Sequence, residues 1–217
     1  MEVRSIPDQT KIGFIGNSCT GKTTSCFNLV KKLKFLKAKT GYCNDICRVP
    51  FSPEKFDTIE WARLHVLYKQ MSTEMEHMIR DDVDYLICER TSLDWIAYYN
   101  ASFDPLDGKF DLEDLAGVDE HVLPGYTWMD TYHVLFYMHP MGEYYDDGHR
   151  PSATHIRDKV QPEYESILKY IKQNYNGTLI EIFSDNVIER TAEVEERFEK
   201  WFYGFDYSEK IMLNGGE

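Results

Sequence analysis

The stretch KIGFIGNSCTGKTTSCFNLV, residues 11–30, constrains the fold of this chain more than any other. A short apolar run, a turn of small residues and an amphipathic run follow one another directly, as in a strand, a loop and a helix. Within the turn, Gly16-Asn17-Ser18-Cys19-Thr20-Gly21-Lys22-Thr23 fits G-x-x-x-x-G-K-[ST]. Each fixed position has a physical reason. The glycines let the backbone turn its N–H groups inward, forming a nest that cups a phosphate at a helix N-terminus. Lys22 can then reach the β- and γ-phosphates, and Thr23 can offer its hydroxyl to Mg²⁺. The expected nucleotide-binding set is therefore Gly16, Asn17, Ser18, Cys19, Thr20, Gly21, Lys22, Thr23 and Thr24.

The remaining pattern alternates strand-like and helix-like runs. Apolar segments at 40–51 (running into a loop), 83–90, 132–138 and 178–183 alternate with helical patterns at 22–36, 56–80, 91–100, 155–174 and 186–203. This alternation predicts an α/β fold with a parallel sheet. Trp61, Leu64, Tyr68, Met71, Met75 and Met78 recur at helical spacing and read mostly as a core stripe. Lys31, Lys32, Lys34 and Lys37 fall off the apolar stripe of their helix and read as a solvated face. Residues 101–130 show little periodicity, with room for one short helix. At 217 residues the chain reads as one domain (1–217), with an acceptor-side insertion at 101–130, a mobile lid at 140–160 and a C-terminal tail at 204–217.

Composition narrows the partners. Lys plus Arg number 24 against 37 Asp plus Glu, a net charge of −13 that repels nucleic acid and anionic membranes at long range. Five cysteines form no CxxC pair and no zinc spacing, which suits free thiols in a reducing compartment. No run approaches membrane-spanning length and the first residues hold no apolar signal core. A cytoplasmic protein is expected, and the sequence leaves room for a homodimer.

The fate of the nucleotide is read from other residues. A GTPase switch would carry an Asn-Lys-x-Asp guanine reader, and the chain has no Asn-Lys dipeptide. A motor ATPase would need a second domain. A small-molecule kinase needs an acid after a second strand, a base on the acceptor side and arginines to neutralise the transferring phosphoryl group. Glu89, ending DYLICER, is the candidate metal carboxylate beside Thr23, with Arg90 next to it. Asp45 in YCNDICR is the candidate base, and Arg48 on the same segment the candidate substrate cation. Arg150 and Arg157 in DDGHRPSATHIRDKV are the candidate lid arginines, and Trp61 is a candidate ring for stacking on the acceptor base. His139 and His149 flank the lid as further candidates for phosphate contact.

The order of these motifs, GNSCTGKTT, YCNDICR, DYLICERTSLDW and DDGHRPSATHIRDKV, resembles the AAA-like P-loop kinases typified by the nicotinamide ribonucleoside kinase domain, relatives of the deoxyribonucleoside kinases. The resemblance covers about residues 11–200 at the level of motifs. It implies a three-layer P-loop NTPase fold with a parallel five-stranded sheet and a mobile lid, and a Mg²⁺-ATP-dependent phosphotransferase acting on a nucleoside or nucleotide. It also implies Lys22, Asp45, Arg90, Arg150 and Arg157 as the catalytic set and Gln70 as a residue near substrate. Two departures stand out: Asn44-Asp45 replaces the more usual Glu, and 101–130 is longer than the pattern. A kinase acting on a polynucleotide 5′-hydroxyl or a hydroxymethylated base in DNA, and a nucleotide-binding regulator without transfer, remain the alternatives.

Overall fold

The computed structural model describes residues 9–46, 59–79, 83–101, 120–142 and 153–204. Five strands form one all-parallel sheet in the order β2-β3-β1-β4-β5: β1 (Thr10–Ile15), β2 (Thr40–Cys43), β3 (Tyr85–Cys88), β4 (Val134–Met138) and β5 (Thr178–Ile182). The register sets Gly13 beside Cys88 and Leu135, and Cys43 beside Cys88. The central strands β1, β3 and β4 are buried along their whole length, which explains their continuous apolar runs.

Six helices flank the sheet: α1 (Lys22–Phe35), α2 (Ile59–Ile79), α3 (Ser92–Asn100), α4 (Leu123–Trp128), α5 (Ala153–Asn174) and α6 (Val187–Phe202). On one face Leu29 and Leu33 of α1 pack with Val194, Phe198 and Trp201 of α6 against Phe14 and Phe136. On the other face Leu67 of α2, Ile96 of α3 and Ile167 of α5 close over Ile15, Leu86 and Leu135. The sheet is thus enclosed on both sides, and only its carboxyl edge remains for chemistry. Thr91 caps α3 in a reciprocal capping box with Asp94. Among the described residues no helix is long and apolar enough to cross a membrane.

The lysine-rich face of α1 is solvated as expected, with Lys32 paired to Glu199 of α6 at 2.5 Å. The α2 stripe needs a correction. Met71 and Met78 pack on the core, but Trp61, Tyr68 and Met75 are 55%, 45% and 47% exposed. The helix is rotated so that Ala62, Leu67, Gln70 and Glu74 face inward. Glu74, fully buried, is satisfied by Lys11 (2.6 Å), Trp128 Nε1 (2.7 Å), the Tyr132 hydroxyl (2.8 Å) and Gln70 Nε2 (2.7 Å). Four partners for one buried carboxylate remove the penalty that would otherwise turn it to solvent. The short helix foreseen within 101–130 is α4, and residues 102–119 lie outside the described residues. Cys19, Cys26, Cys43 and Cys88 are free thiols, and Cys47 lies outside the described residues.

Candidate active site

The loop from Gly16 to Gly21 leaves the end of β1 and enters α1. Gly16 has φ +146°, and a Cβ there would stand 2.5 Å from the Met138 carbonyl oxygen, so the chain closes against β4 only with glycine. Gly21 caps α1 in the left-handed region with no side-chain cap bond, leaving the first amides of the helix as an anion-accepting end. Lys22 arches back over the loop, donating to the carbonyls of Gly16 (2.6 Å) and Asn17 (2.5 Å) and to Thr20 Oγ1 (3.2 Å). Its ammonium is fixed at the mouth of the loop. Ser18 and Thr20 are buried in the loop, Cys19 at its tip adopts φ +58°, and Thr24 is exposed on the first turn of α1.

Glu89 follows β3 at the adjacent strand end. Its two carboxylate oxygens accept from the hydroxyls of Thr23 and Tyr42. The pairing of Thr23 and Glu89 expected from the motif is therefore present, and Tyr42, from β2, is an addition. A hydroxyl and a carboxylate are hard oxygen donors suited to Mg²⁺, which typically keeps water and substrate phosphates as its other ligands. Among the described residues no group of three or more His, Cys, Asp and Glu could hold a metal unaided.

Arg90 occupies the centre of the carboxyl edge. Its Nε donates to Asp45 Oδ2 (3.3 Å), and its Nη1 to Asp94 Oδ1 (3.1 Å), the Tyr164 hydroxyl (3.1 Å) and the Gly16 carbonyl (3.3 Å). The faces of Trp95 and Tyr98 lie 5.6 and 5.5 Å from its guanidinium carbon. Burial pulls its pKa down, and Tyr98, Asp45, Tyr164 and Asp94 more than reverse this, so it stands well above its ordinary value. Burial, reinforced by Asp94, pushes the Tyr164 hydroxyl well up, keeping it a proton donor to Asp94 at 2.8 Å. Gln70 lies behind this group, donating to the Arg90 carbonyl (2.9 Å) and Glu74, with its own Oε1 unpartnered and buried.

Other expected residues fall elsewhere. Trp61 sits on the outer face of α2, its ring 5.8 Å from that of His121, away from the Arg90 group. Arg157 lies on α5 and donates from Nη2 to the Met141 carbonyl at 3.1 Å. His139 stacks on Phe183 with centroids 4.2 Å apart and pairs with Glu181 at 2.8 Å, committing it to the β5 side rather than the loop. Arg48, Arg150 and His149 lie outside the described residues.

Four residues escaped the sequence reading. Asp94 and Tyr164 belong to the Arg90 group, and Tyr42 to Glu89. Arg190 of α6, fully buried, donates to the carbonyls of Thr20 (3.0 Å), His139 (2.6 Å) and Ser184 (2.7 Å), tying the loop to the ends of β4 and β5. Only Asp94 carried a local signal, as the third residue after the capping Thr91.

An all-parallel sheet of this order, with a glycine-rich loop running from its central strand into a helix, is an α/β P-loop kinase-like fold. The chain belongs to the AAA domain family, whose model matches residues 11–197. No curated protein sequence matches it. Among solved structures, deoxyadenosine kinase from M. mycoides with products dCMP and a flexible dCDP bound superposes with a TM-score of 0.56 at 13% identity. Thymidylate kinase from Ehrlichia chaffeensis gives 0.54 at 14%, and both matches cover 88% of this chain and 100% of the other. The same deoxyadenosine kinase with bound dATP gives 0.54 at 12%. At these identities the likeness is one of fold.

Proposed function

We propose that the protein is a Mg²⁺-ATP-dependent phosphotransferase that moves the γ-phosphate to a hydroxyl or phosphate of a nucleoside or nucleotide. One observation carries the reading: a single guanidinium, Arg90, is bonded both to Gly16 of the phosphate loop and to Asp45 at the end of the neighbouring strand. Donor-side and acceptor-side groups therefore share one rigid element, as in-line transfer between two bound nucleotides requires.

In this reading the nest from Gly16 to Thr23 holds the triphosphate, and Lys22 steadies its far end. Thr23 and Glu89 would hold Mg²⁺, which would supply charge neutralisation to the triphosphate. Asp45 accepts a hydrogen bond from the acceptor hydroxyl and orients it. Its Oδ2 is already engaged by Arg90, which fixes the direction from which the acceptor can approach. Arg90 and Arg157 meet charge on the transferring group, and α5, held beside the loop, helps exclude the water that would otherwise hydrolyse ATP. Gln70 lies on the acceptor side between the ends of β2 and β3.

The net charge of −13 favours a small acceptor over a polynucleotide. Labelled ATP offered with nucleosides, 5′-monophosphates and short oligonucleotides tests both points. Transfer to a nucleoside or monophosphate that changes little between 50 and 200 mM salt (about a fourfold range) is the expected result. Transfer confined to oligonucleotides and falling steeply with salt would replace the small acceptor with a polymer. ATP binding with no transfer to any acceptor would make the protein a nucleotide-binding regulator instead.

A further inference from the structure

We propose that the side chain of Asn17 positions Arg157 for phosphoryl transfer by pinning the first turns of α5 to the phosphate loop. This rests on the reading of Arg157 as an arginine that meets the transferring phosphate.

Asn17 is 1% exposed, and its amide has one chemically sensible orientation. Nδ2 faces two acceptors, the main-chain carbonyl of Arg157 at 2.9 Å and Gln161 Oε1 at 3.1 Å. Oδ1 faces the Ser18 amide at 2.8 Å. Turning the amide over would set oxygen against oxygen on one side and N–H against N–H on the other. The Gln161 amide is held the same way, its Nε2 directed at Glu165 Oε1 at 3.3 Å. Asn17 is itself immobile, because its carbonyl accepts from Lys22 and from Thr20 Oγ1 (2.9 Å). One side chain thus links the loop that would hold the triphosphate to the backbone of Arg157.

Helix continuity alone would not hold Arg157 in place. Pro162 lies inside α5, five residues beyond Arg157. It has no N–H to offer the Asp158 carbonyl, and its ring crowds that carbonyl, so the helix has a weak joint there. Beyond the joint, Tyr164 fixes the helix body to Asp94 at 2.8 Å. Before the joint, Asn17 is the loop's hold on the turn that carries Arg157. Two separate anchors on either side of a proline mean that the loop, not the helix body, sets where Arg157 stands. A misplacement of about 1 Å is enough to cost transfer rate without changing ground-state binding.

The test is a double-variant cycle read in kcat and in KM for ATP. The acceptor is whichever of deoxyadenosine, deoxycytidine, thymidine and their 5′-monophosphates gives transfer. Asn17→Ala is expected to lower kcat about tenfold with KM for ATP within about threefold. In an Arg157→Ala background the same substitution should cost less than about twofold, because its effect passes through the arginine. Gln161→Ala, which removes one acceptor and leaves the loop untouched, should show the same pattern at smaller size, and it keeps the test open if Asn17→Ala melts too low to assay. Losses that multiply in the double variant overturn the proposal, as does a rise in KM alone or an unchanged kcat. If Arg157→Ala leaves transfer intact, the reading of Arg157 falls and takes the proposal with it. If the wild type transfers to none of these nor to the wider set of nucleosides, monophosphates and oligonucleotides above, the phosphotransferase reading is what has failed.

Discussion

Asp94 accepts the amide hydrogen of Gly16 at 3.2 Å, joining the N-terminus of α3 to the first residue of the glycine-rich loop after β1. The same carboxylate accepts from Thr91 N (2.8 Å), Thr91 Oγ1 (2.9 Å), the Tyr164 hydroxyl and Arg90. It is fully buried. The loop, the arginine after β3 and helix α5 therefore meet at one anion.

Removing that anion leaves Arg90 with a single carboxylate partner, Asp45, in a buried site. Asp94→Ala should lower unfolding free energy by about 3–5 kcal/mol, measured by urea denaturation. A loss below about 1 kcal/mol would mean that the group is more hydrated than its burial implies.

The Lys11–Glu74 pair makes a sharper comparison. Both side chains are buried, and Lys11 also lies 4.0 Å over the Tyr132 ring. Glu74→Leu alone strands the ammonium and should cost about 3–5 kcal/mol. Lys11→Met added to it should recover part of that loss, because the buried charge is gone. Denaturation midpoints for the two single variants and the double variant check the sign; a double variant weaker than Glu74→Leu contradicts it.

Gly16→Ala places a Cβ 2.5 Å from a backbone oxygen at φ +146°. Backbone cannot yield as a side chain end can, so the loop should shift and nucleotide affinity should drop at least about tenfold, roughly 1.4 kcal/mol. Calorimetry with a non-hydrolysable ATP analogue reads this directly. Unaltered affinity would mean that the loop's closure on β4 plays no part in binding.

Asp45→Asn should slow turnover more than about threefold, or ~0.7 kcal/mol of barrier. Asn keeps a hydrogen-bond acceptor but loses the charge that Arg90 pairs with. A smaller effect in single-turnover kinetics would remove Asp45 from the acceptor site.

The pH dependence of stability follows from three groups that favour the folded state and one that opposes it. The hydrogen bond from His139, with Lys172 beyond it, holds the Glu181 carboxyl below its ordinary 4.5 despite burial. Burial raises Glu193, and bonds from Ser184 outweigh it to leave a net lowering. Burial lowers His133 below 6.5. In each case the unfolded chain takes up the proton first as pH falls, so these contributions are complete above the unfolded pKa and lost below it. Burial raises Glu163, which acts in the opposite sense above about 4.5. Thermal midpoints should therefore be level from about pH 7 to 8, decline gently below about 6.5 and fall steeply below about 4.5. Glu181→Gln should flatten the lowest limb, and an unchanged limb would assign it to other carboxylates.

Much of this was legible in the chain. The motif from Gly16 to Thr23, the strand-like runs within 40–51 and 83–90 and the acid-arginine pair Glu89-Arg90 follow from local patterns. The rotation of α2 was not legible, because 3-4 spacing identifies a helix without saying which of two overlapping stripes faces inward. The polar choices Gln70 and Glu74 look solvated in sequence and become core only beside Lys11, Trp128 and Tyr132. Tyr164 and Arg190 belong to no motif, and Tyr42 opens YCNDICR without any role there that local pattern could assign.

What the sequence determined by itself is whatever depends on neighbours a few residues apart: glycine where the backbone must turn inward, Thr91 where a helix must be capped, alternating periods that build a parallel sheet. Only the tertiary structure decided which groups meet at its carboxyl edge. The Asn17–Gln161 bond spans 144 residues and the Arg190–Thr20 bond 170. No local preference encodes such contacts; they form because two buried polar groups brought together by packing must satisfy each other or lose the stability of both.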